Sequence, residues 1–211
     1  MKKIWKPLIL TCLFIFLTIF TIKVYPVIRN GYDLYCKSTS TVNLNKTIEE
    51  LQSSDNYVEL DEVSKEFIRD LIISEDKRFY VHNGFDPLAT ARALFNDIRL
   101  GYFAQGGSTI TQQLAKNVYF SFDKKLERKV AELFAAFDIE KRLTKDQILE
   151  LYINIIYFGE GCYGIKEASY HYYGVSPRDL TSEQITSLVW TIKSPNNYNP
   201  NASSTIITNG I

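Results

Sequence analysis

The sequence is poor in the residues that build metal sites and disulfide frameworks. Its 211 residues include 2 His and 3 Cys, and none of them stands in a C-x-x-C or H-x-x-x-H spacing. A structural zinc site and a disulfide scaffold are therefore poorly supported. An excess of charge is also missing, because 24 Lys and Arg balance 24 Asp and Glu, so no nucleic acid partner is expected. The chemistry that remains uses carboxylates, amines and hydroxyls.

Large side chains, by contrast, are common. Hydrophobic residues make up 45% of the chain and aromatic residues 14%, which is typical of a folded chain with a sizeable core. Beyond residue 60 the apolar residues recur at helical spacing, and neither strand alternation nor a βαβ rhythm is present. We therefore predict a mainly α fold.

An apolar run near the N-terminus predicts a membrane anchor within residues 1–29. Residues 8–22 carry no charge and fall short of the ~20 residues that span a bilayer, but Trp5 and Tyr25 at its ends can extend it. A cleaved signal peptide is the alternative, yet no small-x-small cleavage site follows. Lysines flank the run at Lys2, Lys3, Lys6 and Lys23. The positive-inside rule then places the N-terminus inside and the rest of the chain outside.

Three further segments follow the anchor. Residues 30–60 show no sustained period, so we predict a juxtamembrane connector with at most a short strand or a turn of helix. Residues 61–200 form the predicted main domain, and residues 201–211 form a polar tail. Cys36 and Cys162 lie on the far side of the membrane, where a disulfide can form, but we expect two unpaired thiols.

Capping residues divide the main domain into helices. Thr or Ser followed three residues later by Gln predicts a capping box, Asp-Pro predicts a helix start, and Gly predicts a helix end. The predicted starts are Asp61, Asp86, Ser108 or Thr109, Lys124, Thr144 and Thr181, and the predicted glycine ends are Gly101 and Gly174.

Glu75 is the first candidate for chemistry. It follows an apolar helix, and the negative end of the helix dipole disfavours its anionic form, which suits a general base. The alternative is a solvated charge cluster in which Glu75 pairs with Lys77 or Arg78. His82 in the same cluster is interpreted as a structural hydrogen-bonding residue, because nothing nearby completes a metal site.

Two more clusters are suited to a phosphate group. Residues 106–117 place two glycines before a hydroxyl-rich helix start, where free N–H groups bind anions, with Gln113 and Lys116 one turn away. Simple helix capping is the alternative. Arg128 and Glu132 share a helix face, which predicts either an ion pair worth about 0.3–0.5 kcal/mol or a cationic patch beside a second carboxylate.

Taken together and in this order, the clusters resemble the peptidoglycan glycosyltransferases, from about residue 67 to residue 200. The motifs that carry the resemblance are E-D-x-x-F-x-x-H-x-G-x-D at 75–86, G-x-S-T-I-T-Q-Q-L-x-K-N at 106–117 and R-K-x-x-E at 128–132. The resemblance implies a lysozyme-like helical lobe with a small membrane-associated jaw. It implies polymerisation of lipid II into glycan strands with release of undecaprenyl diphosphate, at the bacterial cytoplasmic membrane.

The resemblance also implies roles for individual residues. Glu75 resembles the general base that takes the proton of the acceptor's sugar hydroxyl, and Glu132 resembles the second essential carboxylate. A divalent cation, Mg²⁺ or Mn²⁺, is expected near Glu132, and no organic cofactor is expected. The residues that resemble the substrate-binding set are Ser108, Thr109, Gln113, Lys116, Asn117, Arg128 and Lys129.

Two alternatives to this activity stay open. One is a lytic relative that cleaves finished glycan, since two carboxylates alone also describe a glycosidase. The other is a catalytically weak, membrane-anchored scaffold that binds lipid II among other cell-wall synthesis proteins. Because no transpeptidase S-x-x-K follows residue 200, a monofunctional enzyme is expected.

Overall fold

The computed structural model describes residues 5–101, 106–120 and 125–202. Lys2, Lys3, Lys124, the side chain of Lys6 and the tail beyond residue 202 therefore lie outside the described residues. The helices are α1 Trp5–Thr41, α2 Leu44–Gln52, α3 Lys65–Glu75, α4 Pro87–Leu100, α5 Ile110–Tyr119, α6 Leu126–Arg142, α7 Lys145–Ile155, α8 Ile165–Tyr173, α9 Ser182–Lys193 and α10 Pro195–Tyr198. The described part of the chain contains no strand, only one isolated bridge between Tyr157 and Tyr163. The prediction of a mainly α chain is confirmed.

The first helix is the one described helix that is long and apolar enough to cross a membrane. It covers 37 residues, and an 18-residue stretch of it between Ile9 and Thr41 has a mean hydropathy of 2.0, with none of those 18 residues buried in the protein. At 1.5 Å per residue it is about 55 Å long, which exceeds the ~30 Å of a bilayer core. The helix therefore extends well beyond the predicted apolar run of residues 8–22.

The prediction of at most a short strand or a turn of helix in residues 30–60 is wrong. Helix α1 continues through Thr41, and α2 follows directly under an Asn43 cap whose side-chain oxygen accepts the N–H groups of Asn45 and Lys46 at 3.0 and 3.3 Å. Leu44 is buried and α2 packs on α7. Tertiary packing of this kind stabilises helices that their local sequence alone does not predict.

Helix α7 also fixes the chain between α2 and α3. The Asn154 amide donates to the Val58 carbonyl at 2.9 Å and accepts the Val58 N–H at 3.0 Å. Glu150 accepts the Leu60 N–H at 2.9 Å and the hydroxyl of Tyr57. These bonds give the polar segment before α3 a fixed path.

Most of the predicted helix starts are confirmed. Reciprocal capping boxes join Thr109 to Gln112, Thr144 to Gln147 and Thr181 to Gln184. Asp86 caps α4, while Gly101 and Gly174 end their helices with positive φ. The first start is wrong: Leu60–Glu62 forms a separate 3-10 turn, so α3 begins after Ser64 and not after Asp61.

The core lies where α3, α5, α6, α7 and α9 meet. Its fully buried side chains include Phe67 on α3, Leu114 on α5 and Tyr152 on α7. Cys162 is buried in this core whereas Cys36 is exposed on α1, and both thiols are free, as predicted. The core holds the ends of α3, α5 and α6 in fixed positions around one cleft.

Helix α4 carries an exposed apolar face. Leu88, Leu94, Phe95 and Ile98 are 60–72% exposed, and their spacing places them along one side of the helix. An exposed apolar surface of this size is typical of a membrane or protein contact. The small membrane-associated jaw that the resemblance implies stays a prediction.

Candidate functional site

A cleft of about 1270 Å³ lies between the end of α3 and the starts of α4, α5 and α6. Asn117 lies in an adjoining cavity of about 700 Å³, which shares Gln113 and Lys116 with the cleft. The fold therefore brings together side chains from three distant motifs. Eight of the nine predicted site residues line the cleft: Glu75, Ser108, Thr109, Gln113, Lys116, Arg128, Lys129 and Glu132.

Glu75 is the last residue of α3 and is half-buried at the wall of the cleft. Its carboxylate accepts a hydrogen bond from the Gln113 amide nitrogen at 3.0 Å. Among the described residues it forms no ion pair, and Arg78 instead lies 3.4 Å from Asp86. The alternative of a solvated Glu75 ion pair is therefore wrong, and the carboxylate faces the cleft beside a neutral donor.

Tyr152 fixes the orientation of that donor. Its hydroxyl donates to the Gln113 amide oxygen at 2.9 Å, so the amide nitrogen must point toward Glu75. Tyr152 is fully buried, and burial together with the charges of Glu75 and Asp76 raises its pKa well above its usual value. The hydroxyl therefore stays protonated. In the relay Tyr152–Gln113–Glu75, each side chain then donates its hydrogen bond to the next one.

Asp76 connects the end of α3 to the start of α5. Its carboxylate accepts the Ile110 N–H at 3.0 Å and lies 2.9 Å from the Nε2 atom of His82. Both Asp76 and His82 are buried. The interpretation of His82 as a structural hydrogen-bonding residue is therefore confirmed, and Asp76 sets where Glu75 stands against α5.

Glu132 has a different environment on α6. Its side chain is 1% exposed and is bonded to Arg128 and to Lys129, the latter at 2.9 Å. The Lys129 ammonium also donates to the Ser108 hydroxyl at 2.6 Å. The ion pair and the cationic patch are thus one structure, because the carboxylate holds two cations at the wall of the cleft.

The cleft concentrates positive charge in a chain that is neutral overall. Seven Lys and Arg side chains line it against four Asp and Glu side chains. Lys116 is part of this set, and burial is the main reason that its pKa is lowered, with Arg128 and Lys129 acting in the same direction. An anionic ligand would relieve that crowding of cations.

Thr109 lies at the wall of the cleft as a capping residue. Its hydroxyl donates to the Gly84 carbonyl at 2.8 Å and accepts the Gln112 N–H at 3.1 Å. Because Thr109 caps the helix, the hydroxyl of the neighbouring Ser108 can accept from Lys129. The predicted substrate contact of Thr109 stays a prediction.

The described residues do not fit a protein-bound divalent cation. They contain no group of three His, Cys, Asp or Glu side chains placed to hold a metal, and both Glu132 oxygens already accept from cations. Mg²⁺ prefers oxygen ligands and is commonly held by phosphates and water. We therefore assign no step to a metal at Glu132.

Sequence reasoning missed Tyr152, Asp76 as a connector, and Lys193. Lys193 lines both cavities at the end of α9, and its ammonium lies 5.1 Å from the centre of the Trp190 ring. A lone lysine before Ser-Pro carries no local pattern that predicts such a place. Tyr152 was hidden in an apolar helical run, where periodicity predicts only core.

Comparison with known proteins identifies relatives of the chain. A model of the transglycosylase family matches residues 43–209, a range that begins inside the segment predicted as a connector. Penicillin-binding protein 1A of Vibrio cholerae is 46% identical over 143 residues, 68% of this chain and 17% of that protein. Penicillin-binding protein 1F of Bacillus subtilis is 43% identical over 143 residues, 68% of this chain and 20% of that protein. Penicillin-binding protein 1A of Aquifex aeolicus is 34% identical over 206 residues, 91% of this chain and 27% of that protein. The chain thus spans between 17% and 27% of the length of these relatives.

Proposed function

Because the chain belongs to the transglycosylase family, we propose that it is a peptidoglycan glycosyltransferase that polymerises lipid II into glycan strands and releases undecaprenyl diphosphate. The observation that supports this best is a single cleft in which a carboxylate without an ion pair among the described residues, Glu75, faces the cations around Glu132. Glycosyl transfer from a diphosphate requires a base for the acceptor and positive charge for the leaving group.

Glu75 acts as the general base. It takes the proton of the acceptor's sugar 4-hydroxyl as that oxygen forms a bond to the donor's anomeric carbon. Gln113 donates to Oε2 at 3.0 Å and the Ser74 hydroxyl donates to Oε1 at 3.4 Å, and each oxygen keeps a further lone pair for the acceptor. The C–O bond to the diphosphate breaks, and its electron pair leaves with the diphosphate.

The cations of the cleft stabilise the departing diphosphate. Lys116, Arg128 and Lys129 come from α5 and α6, and the start of α5 adds the positive end of its dipole. Fixed charges of this kind need no reorganisation as negative charge develops. Glu132 contributes by holding Arg128 and Lys129 in place.

The cation set also favours transfer over hydrolysis of finished glycan. A glycosidase needs two carboxylates, but its substrate carries no diphosphate for the cluster of Lys116, Arg128 and Lys129. The lytic alternative therefore leaves the most strongly charged wall of the cleft without a role.

Membrane attachment suits a lipid-linked substrate. We propose that α1 crosses the cytoplasmic membrane once, with the N-terminus inside and the cleft on the outer face. Tethering raises the effective concentration of the enzyme at the substrate, and the apolar face of α4 would rest on the same bilayer.

The test is polymerisation of labelled lipid II by the detergent-solubilised full chain, with products resolved by size. We expect a ladder of growing glycan that disappears in Glu75→Gln. Glu183→Gln, the same change at an exposed position of α9, is the matched control and should keep the ladder. Lipid II bound without polymer would support the scaffold alternative, and cleavage of finished glycan would support the lytic one.

A further inference from the structure

Helix α1 is in direct contact with α6, the helix that carries Arg128, Lys129 and Glu132 at the cleft. The C-terminal half of α1 packs along α6, where the rings of Tyr32 and Tyr35 lie 5.2 and 5.9 Å from the ring of Phe134. Gly31 lies next to this aromatic contact and is buried in α1. The anchor therefore touches α6 near Arg128, Lys129 and Glu132.

Gly31 marks a close approach of the two helices. A Cβ atom added to Gly31 would lie 2.6 Å from the Cβ atom of Val130 and 2.8 Å from the Glu127 carbonyl oxygen. Carbon atoms in favourable contact are about 3.5–4.0 Å apart. Glycine is disfavoured inside helices, so the close approach, not helix formation, explains its presence at this position.

The contact lies on the back of α6, away from the cleft. At about 100° per residue, Val130 is roughly half a turn from both Arg128 and Glu132. Helix α5 packs on α6 as well, and Ala131 and Ala135 are fully buried between these elements. Helix α6 is thus packed between α1 and α5. A larger side chain inserted next to Val130 would push α6 toward the cleft.

We propose that Gly31 is a positioning residue, which lets the membrane anchor hold α6 at the depth where Lys129 reaches Ser108. The inference rests on the proposed function for its kinetic part. Any larger side chain at position 31 displaces α6 by roughly 1 Å to restore normal contact distances. A shift of that size at a binding site can lower a rate by about 10²-fold.

The experiment compares Gly31→Ala with Asn30→Ala, a change at the neighbouring exposed residue of α1. Two quantities are measured on the full chain in detergent: the affinity for farnesyl diphosphate, a short polyprenyl diphosphate, and kcat/KM with lipid II. We expect Gly31→Ala to bind farnesyl diphosphate more weakly and to lose about 10- to 100-fold in kcat/KM. Asn30→Ala should match the unchanged protein in both measurements.

A second substitution separates positioning from loss of folding. Val130→Gly removes both the Cβ and the Cγ1 atoms that a Cβ at position 31 would meet at 2.6 and 2.7 Å, so Gly31→Ala with Val130→Gly should regain part of both quantities. The inference is overturned if Gly31→Ala equals its control, or if its loss follows a lowered melting temperature and is not relieved by Val130→Gly. If the unchanged protein binds farnesyl diphosphate but makes no polymer, the proposed function fails, and the binding comparison still decides the role of Gly31.

Discussion

The two carboxylates of the cleft have opposite surroundings. Glu75 ends α3, is half-buried and accepts from a neutral amide. Glu132 lies within α6, is almost fully buried and accepts from two cations. The same side chain is therefore placed once beside a neutral donor at the open cleft and once where both of its oxygens are held by cations.

This difference assigns the two residues to different tasks. Both oxygens of Glu132 already accept from a guanidinium and an ammonium, so neither is open to a reacting hydroxyl. A carboxylate beside a neutral amide keeps an oxygen for a reacting hydroxyl. Glu75 is thus suited to proton transfer, and Glu132 to holding Arg128 and Lys129 in place. Four substitutions test this difference.

The largest expected effect is that of Glu75→Gln on turnover. Loss of a general base typically costs 10²- to 10⁴-fold in rate, while the amide can still pair with Gln113, so folding should be unaffected. Turnover of lipid II and the melting temperature measure the two effects. A Glu75→Gln protein that is inactive because it unfolds would contradict the assigned role.

Glu132→Gln should change stability as well as turnover. It removes the partner of Arg128 and Lys129, and a loss of about 1–3 kcal/mol in the free energy of unfolding is expected. The penalty stays moderate because Lys129 is half-exposed and regains water. Urea unfolding in detergent measures this loss of free energy. The contrast between the two carboxylates is contradicted if Glu75→Gln destabilises the protein more than Glu132→Gln does.

Tyr152→Phe tests the relay that orients Gln113. Without the hydroxyl the amide can rotate and present its oxygen to Glu75, so we expect kcat to fall by about 5- to 10-fold, the equivalent of one hydrogen bond. Steady-state kinetics with lipid II measure the change. Tyr170→Phe, at an exposed tyrosine of α8, should leave kcat unchanged, and equal losses in the two variants would contradict the relay.

The smallest expected effect is a pH shift in Lys116→Arg. Burial lowers the pKa of Lys116, so its charge is lost at a lower pH than that of an ordinary lysine, whereas arginine stays charged. The alkaline limb of kcat/KM should therefore move to higher pH. The lysine cation is disfavoured in the folded state, so folding gains stability as pH rises from the lowered pKa to about 10.5. Lys141→Arg on the surface of α6 is the control and should not move that limb.

Local patterns predicted the helix starts but not the assembly of the cleft. Capping boxes depend on residues three positions apart, so Thr144 and Thr181 could be found without the fold. The meeting of Glu75 with Glu132 depends on packing between α3, α5 and α6, and it was expected only through the family resemblance. The excess of positive charge at the cleft could not be predicted from the composition, because the chain is neutral as a whole.

Polar segments that fold against a neighbour were the main errors. Residues 30–60 carry many Ser, Thr and Asn residues, which favour loops, yet packing on α6 and α7 makes residues 30–41 and 44–52 helical. The Asn43 cap of α2 is the one local sequence feature that could have predicted a helix in this segment. The role of Tyr152 was not predictable, because its partner Gln113 lies on another helix.

Leu88 belongs to two surfaces at once, since it is 63% exposed on the apolar face of α4 and also lines the cleft. A substrate whose polyprenyl chain stays in the bilayer can therefore reach the cleft by lateral diffusion, without passing through water. Its supply is then set by the number of substrate molecules per unit area of membrane. Diluting a vesicle suspension should leave the rate per enzyme unchanged as long as the mole fraction of lipid II is constant.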